Sequence, residues 1–497
     1  MAELEKAGGA AAAVEQTTEA SLLDQIVQQG RFSDSTARER GKNLVKEFVA
    51  QVLEGSMTVA RDADQMITAR VAQIDHLISL QLNEIMHNAQ FQKLEGTWRG
   101  LRYLLDQSET SNQLKIRILN ASKKELLRDL QRAAEFDQSA LFKKVYEDEF
   151  GLFGGEPLAT VIGDYEFSKH PEDMELLEKV SQVAAAAHAP FISAASPELL
   201  NMPSYSGLDQ PRDIGKIFDS TEYAKWKSFR ESEDSKYVSL TCPRILMRLP
   251  YGKDTKPVEG FNYEEGVDGT DHTKYLWGNA AYALGARMTQ AFSYYGWCVA
   301  IRGVEGGGLV EGLPAHTFRT DKGDIALKCP TEIAITDRRE KELADQGLVP
   351  LVHCKGTDKA AFFSIQSCNR PKVYDTDAAT ANARISAQLP YMMATCRFAH
   401  YLKAMMRDKI GSFMSRTDCE RWMNQWIMNY VTPDETASQS VKASHPLRDA
   451  KIEVSEVPGK PGVYKATAYL RPHFQLDELS VSLRLVAELP AQGGGKK

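Results

Sequence analysis

The chain has 497 residues, 43% of them hydrophobic, and a formal net charge of -7. That length is a prior for about three domains of about 150 residues each, with enough apolar material for real cores. The acidic balance gives no general attraction to phosphate backbones, which excludes nucleic acid as an expected partner. No apolar run approaches the ~20 residues of a membrane span, so no direct membrane insertion is expected. Glu3 and Glu5 beside Lys6 do not make the basic region of a secretory signal. The seven cysteines are odd in number and lack Cys-x-x-Cys spacing, and they read as reduced thiols in a cytoplasm.

In chain order, the first ~20 residues offer nothing to bury and are expected to be disordered. Ser21 and Asp24 then make a capping-box start for a short helix carrying Leu22, Leu23, Ile26 and Val27, which Gly30 ends. A helix of ~8 residues is marginal in water, so its apolar face needs a receiver, either a partner's groove or the chain's own core. Thr36 with Glu39 opens a second helix bearing Leu44, Val45, Phe48, Val49, Val52 and Leu53. The apolar stripe resumes with Met66, Ile67, Val71, Ile74, Leu77, Ile78, Leu82 and Ile85 and continues through Phe91, Leu94, Trp98 and Leu101. This is long amphipathic helix, either an arm for another chain or the outer layer of a bundle.

From Leu114 the pattern is mixed. Strands are predicted at Leu114 to Ile118, Leu158 to Gly163, Pro190 to Ala194, Arg244 to Leu249, Trp297 to Ile301, Glu332 to Thr336, Leu348 to His353 and Ala361 to Ser367. Helices fall between them, one capped by Ser122 with Glu125, one over Glu172 to Ala187 and one starting at Asp337 and closed by Gly347. That alternation is the βαβ texture of an α/β layer fold. Ala378 to Ile410 reads as helix interrupted at Pro390, and Thr417 with Glu420 reads as the cap of a further helix through Tyr430. Near the end, Val481, Leu483, Leu485 and Ala487 alternate with Ser482, Arg484 and Glu488 as a half-buried strand, with Gly462 to Leu470 as its nearest partner. A two-stranded hairpin is marginal alone, so this one packs on the chain's body or is extended by strands of another chain.

Motifs of chemistry are sparse. Gly303 to Gly312 lacks G-x-G-x-x-G spacing, and no phosphate-binding G-x-x-x-x-G-K-[ST] occurs. Cys396 and His400 stand at i, i+4, but two ligands do not make a metal site. His353 and Cys354 with Cys368 is weaker still. Asp164 with Glu166, and Glu264 with Glu265, are carboxylate pairs of a kind that chance supplies. No catalytic, cofactor-binding or metal-binding set is predicted.

Four blocks occur in order: FQKLEGTWRGLRYLL (Phe91 to Leu105), FGLFGGEP with VIGDYEF (Phe150 to Phe167), SEDSKYVSL with PRILMRLPYG (Ser232 to Gly252), and LRPHFQLDELSVSLRLVAELP (Leu470 to Pro490). Together they resemble the large subunit of the type VI secretion contractile sheath, the TssC/VipB family, from about Ser21 to Pro490. The resemblance implies a mixed α/β fold: a contractile-tail-sheath-like core, long N-terminal helices, and a C-terminal β-hairpin that joins an intersubunit sheet. It divides the chain into an arm with a partner-binding helix (1–35), amphipathic helices that pack with a small sheath subunit (36–110), the α/β sheath core (111–377), and C-terminal helices with the hairpin (378–497).

The function implied is structural and needs no cofactor. The subunit would pair with a TssB/VipA-like small subunit, polymerise with further copies of itself around an Hcp-like inner tube, and contract to propel that tube from a baseplate. A ClpV-like AAA+ unfoldase would disassemble it through Leu22, Leu23, Ile26 and Val27. Val481, Leu483, Leu485 and Ala487 would form the intersubunit strand, and Asp418, Glu420, Arg421 and Asn424 lie on a helix matched to the one facing the inner tube. The alternatives are a scaffold or baseplate-like component, or a soluble α/β enzyme with a cryptic site.

Overall fold

A computed structural model describes residues 35–53, 63–320, 322–459 and 463–475. The expected unfoldase-binding helix (Leu22, Leu23, Ile26, Val27) and terminal strand (Val481, Leu483, Leu485, Ala487) lie outside the described residues. The chain divides into two compact units, one of residues 1–81 with 258–264, the other of 82–257 with 265–497. In the first, α1 (Ser35–Leu53) and most of α2 (Ala63–Met86) are amphipathic helices. There Asn262 donates to the buried carboxylate of Asp75, and the Glu264 amide donates to the Ser79 hydroxyl.

The second unit is built on a six-stranded sheet in the order β1-β2-β3-β9-β10-β6. Its strands are β1 (Val161–Phe167), β2 (Phe191–Ala195), β3 (Val238–Cys242), β6 (Leu309–Val310), β9 (Leu348–His353) and β10 (Ala360–Phe362). The first four in that order run parallel, and β10 and β6 add antiparallel pairs at one edge. Strands buried on both faces carry apolar residues at successive positions, each pointing to a different layer. Phe191 and Leu348 join one core cluster with α5 (Pro171–Ala187), while Ile192 and Val349 join another with α7 (Ala281–Tyr295). Helices thus cover both faces of the sheet.

Before the sheet, α3 (Ala89–Asp106) packs against α7 through Gly100 and Leu104, with Gly96 close to the Trp277 carbonyl, and α4 (Lys123–Arg132) starts in the expected Ser122–Glu125 capping box. The Asp337 start is observed as α8 (Asp337–Asp345), closed by Gly347 at φ 80°, the left-handed conformation glycine adopts freely. The break near Pro390 separates α9 (Asp377–Ser386) from α10 (Leu389–Asp408), where proline occupies the first turn.

Three expected strands are not strands. Among the described residues Leu114 to Ile118 has no neighbouring strand, and Lys115 and Arg117 pair instead with Glu156 and Glu149. Trp297 to Ile301 crosses between two core clusters, with the Val299 carbonyl taken by the Gln475 side chain. Glu332 to Thr336 makes no ladder, although the adjoining Thr331 forms a single bridge to Ile245. Conversely, β3 was not among the expected strands, and its polar residues Ser239 and Thr241 do not face solvent. Both are fully buried, their hydroxyls donating to the Gln366 and Ser193 carbonyls.

Candidate assembly interface

The C-terminal part is organised around a two-stranded antiparallel ribbon, β11 (Leu447–Glu456) with β12 (Tyr464–Pro472), in register from Asp449 opposite Arg471 to Glu456 opposite Tyr464, with a register shift between Asp449 and Leu447, which stands opposite Pro472. One face alternates inward through Ala450, Ile452, Val454, Ala466, Ala468 and Leu470 onto Trp297, Phe398, Met423 and Ile427. The sequence reading found β12 but not β11, although Asp449, Lys451 and Glu453 alternate with Ala450, Ile452 and Val454.

The two edges of this ribbon differ. Along β11, the side chains of α11 (Arg416–Ile427) take the outward backbone groups. Asn424 donates Nδ2 to the Ile452 carbonyl at 2.7 Å and accepts from the Ile452 amide at 2.9 Å. Glu420 accepts from the Val454 amide at 3.2 Å, and Arg416 donates to the Val454 carbonyl at 3.0 Å. Since Ile452 and Val454 face away from β12, their partners Ala468 and Ala466 direct amides and carbonyls to the opposite edge. Among the described residues no strand lies beside that edge.

Of the four residues expected on a tube-facing helix, Glu420 and Asn424 are therefore committed to β11, while Asp418 and Arg421 remain exposed. The helix is capped by Ser415, which accepts from the Asp418 amide, two residues before the expected Thr417. Asp418 carries the carboxylate of that first turn and accepts from the Ser415 hydroxyl, which lowers its pKa.

Each unit also carries an exposed apolar stretch of its own. In the first unit, Ile67, Val71, Ile74 and Ile78 of α2 recur at helical spacing, yet each is between 39% and 52% exposed. In the second unit, α3 buries its glycine face and leaves Leu94, Trp98 and Leu105 on the other side substantially exposed. Large apolar stripes of this kind mark contact surfaces.

Two family models match the chain. Residues 68–369 match the EvpB/VC_A0108 (VipB) tail sheath N-terminal domain, and residues 378–489 match its tail sheath gpW/gp25-like domain. The chain is also 52% identical over 480 residues to the type VI secretion system sheath protein TssC1 of Pseudomonas aeruginosa, covering 96% of each. It belongs to the VipB tail sheath family. Among solved structures it is similar to the anti-feeding prophage baseplate at a TM-score of 0.34 and 8% identity, over 63% of this chain and 66% of that one. It is also similar to the contracted sheath complex of an extracellular contractile injection system, at 0.32 and 7%, over 62% and 68%.

In this tail sheath chain, the residues first considered for chemistry hold the fold. His400 donates Nε2 to the Ala187 carbonyl at 2.9 Å, and burial pushes the Cys396 thiol up to about 12. Gly303 to Gly312 is a close-packed turn rather than a phosphate cradle. The Gly303 amide donates to the Phe362 carbonyl, and a Cβ on Gly307 would stand 2.3 Å from the Ala300 carbonyl oxygen. Glu166 is gripped by both Arg244 donors, at 2.5 and 2.7 Å, while Asp164 accepts from Thr97 and is raised by burial. Glu265 accepts both Arg248 donors, at 2.6 and 2.9 Å, and the Tyr251 amide as well. His353 and Cys354 lie at the end of β9, and buried Cys368 donates its amide to the Val238 carbonyl. Among the described residues no group of three or more His, Cys, Asp or Glu is placed to hold a metal ion, and no helix is long and apolar enough to cross a membrane.

Proposed function

We propose that this chain is the large subunit of a type VI secretion contractile sheath, acting in the bacterial cytoplasm as a structural element rather than a catalyst. It pairs with a TssB/VipA-like small subunit, stacks with copies of itself into a helical tube around an Hcp-like inner tube on a baseplate, and contracts. Its 52% identity to TssC1 over nearly the whole length supports the system. The observation that carries the polymer reading is the ribbon's asymmetry: β11 is closed by Asn424, Glu420 and Arg416, whereas no strand among the described residues lies beside the outer edge of β12. Strand addition at that edge, with Val481, Leu483, Leu485 and Ala487 as the linking strand, joins one subunit to the next in a contact that repeats without closing. The exposed α2 stripe is the face for the small subunit, and Asp418 and Arg421 are the polar positions offered to the inner tube.

Microscopy of the chain co-expressed with the small subunit tests this reading. Tubes are expected, and Leu483→Pro, which removes a backbone donor, is expected to abolish them while the pair still co-purifies. Normal tubes from the proline variant would exclude this strand as the link. For disassembly, Ala at Leu22, Leu23 and Ile26 is expected to weaken binding of a ClpV-like unfoldase by at least ~10-fold with tubes intact, because buried aliphatic anchors are worth ~1.5–3 kcal/mol each. Unchanged binding in a pull-down would remove that helix from the role.

A further inference from the structure

Polar side chains gather beside the carboxyl ends of the parallel strands, where open α/β sheets place their ligand sites. Glu166 lies at the end of β1, and its partner Arg244 follows β3. Arg244 NH1 is 3.5 Å from Glu332 Oε2, and the Ser204 hydroxyl donates to Glu332 Oε1 at 3.0 Å. Glu332 Oε1 is also 3.9 Å from His272 Nε2, too far for a hydrogen bond. Glu332 is 4% exposed, yet neither its Oε2 nor His272 Nε2 has a hydrogen-bond partner among the described residues.

His272 opens a single helical turn (His272–Lys274), and its ring packs on the Trp277 indole with centroids 5.0 Å apart, while Trp277 Nε1 donates to its carbonyl. Its other nitrogen, Nδ1, is 2.9 Å from Nζ of Lys328, which follows β8 (Ile325–Leu327). An ammonium only donates, so Nδ1 accepts and the neutral ring carries its proton on Nε2. Lys328 is half-buried. Its amide donates to the His316 carbonyl at 2.7 Å, and Nζ stands 5.2 Å from the centre of the Tyr275 ring.

With His272 neutral, Arg244 and Lys328 offset Glu166 and Glu332. Burial keeps His272 neutral down to about 4, and burial also lowers the Lys328 ammonium against the opposing pull of Cys329 and Glu332. The amine form of Lys328 is therefore more abundant at neutral pH than that of a surface lysine, and the bond to His272 holds its nitrogen in one place. A ring neutral down to about 4 is too weak a base to take the proton that an attacking amine sheds, so the leaving group of the co-reactant has to carry it. The phosphate of an acyl phosphate does so.

We propose that Lys328 is a nucleophilic amine and a modification site for acyl phosphates, with His272 as its positioning residue. The nitrogen attacks the acyl carbon, a C–N bond forms, and the C–O bond to phosphate breaks. Phosphate leaves with that electron pair and with the proton lost by nitrogen, so amine and acyl phosphate become amide and hydrogen phosphate. The lysine loses its charge. Neither the β12 edge nor the α2 stripe contributes to this group.

The test is acetyl phosphate treatment of the full-length chain at pH 7.5 and pH 10, with acetyl-lysine read by peptide mass spectrometry and exposed Lys355 as internal reference. Lys328 is expected to acetylate at least about 5-fold faster than Lys355 at pH 7.5, and the ratio is expected to shrink at pH 10, where surface amines deprotonate as well. His272→Leu removes the acceptor and is expected to slow Lys328 about 10-fold at both pH values without slowing Lys355, whereas His272→Asn, whose Oδ1 replaces Nδ1 as acceptor, is expected to keep the rate. The proposal is overturned if Lys355 reacts as fast as Lys328 at pH 7.5, if the ratio is unchanged at pH 10, if His272→Leu leaves Lys328 as fast as before, or if His272→Asn is as slow as His272→Leu. The wild-type ratios decide alone if the variants do not fold.

Discussion

His400 is 3% exposed on α10, its Nδ1 has no hydrogen-bond partner among the described residues, and burial pushes its pKa down to about 4, with the nearby Arg397, His188 and Lys403 adding to the shift. The unfolded chain takes up a proton on this residue near pH ~6.5, the folded one only near 4, so between those values unfolding binds a proton. Stability therefore falls as pH falls through that window, by on the order of 3 kcal/mol at its lower end. His272, half-buried and also lowered to about 4 by burial and Lys328, acts in the same direction. His400→Gln keeps a donor for the Ala187 carbonyl but does not titrate. Its melting temperature is expected to depend less on pH between 7 and 4.5 than the wild type's, and parallel curves would contradict this account.

At the scale of elements, the fold relies on close approach and on backbone groups that side chains satisfy. Asn424 pairs both the amide and the carbonyl of Ile452, so Asn424→Ala leaves two β11 groups without protein partners. The expected cost is about 2–3 kcal/mol, seen as faster hydrogen exchange at Ile452 than at the β1 and β2 amides. Protection unchanged at Ile452 would mean that water replaces the side chain fully. Helix α3 presents a different case. A Cβ on Gly100 would stand 2.4 Å from the Tyr282 ring, closer than packed atoms allow. In an open helix Gly→Ala stabilises by ~1 kcal/mol; here overpacking of ~1–3 kcal/mol is expected to reverse the sign. Thermal unfolding of Gly100→Ala measures which term wins.

At the scale of the whole molecule, this tail sheath chain carries an exposed apolar stripe on α2 and, at β12, an edge with no neighbouring strand among the described residues, both suited to assembly. Obligate interfaces bury ~2,000–5,000 Å², and subunits deprived of them aggregate. Expressed alone, the chain is expected to be poorly soluble, and co-expression with the small subunit is expected to rescue it. Ser at Ile67, Val71 and Ile74 is expected to improve solubility of the lone chain and to reduce co-purification of the small subunit at least ~10-fold. Retention of full pairing would assign the stripe to another contact.

The local signals were legible in the sequence because they depend on neighbours along the chain. Ser122 with Glu125, Asp337 with Gly347, and Pro390 each mark a helix end through groups within a few residues. The largely apolar runs at Phe191 and Leu348 marked buried strands, and ordered blocks of residues pointed to the tail sheath family that the comparisons show. Tertiary structure alone decided which extended segments became strands, since a strand exists only where another backbone lies alongside. Leu114 to Ile118 alternates without such a neighbour, whereas Val238 to Cys242 hides two hydroxyls inside the sheet because adjacent carbonyls accept from them. The same holds for Asn424, which sequence placed on an outward face. Its amide turned to β11 because 28 residues later the chain returned with an edge to be satisfied.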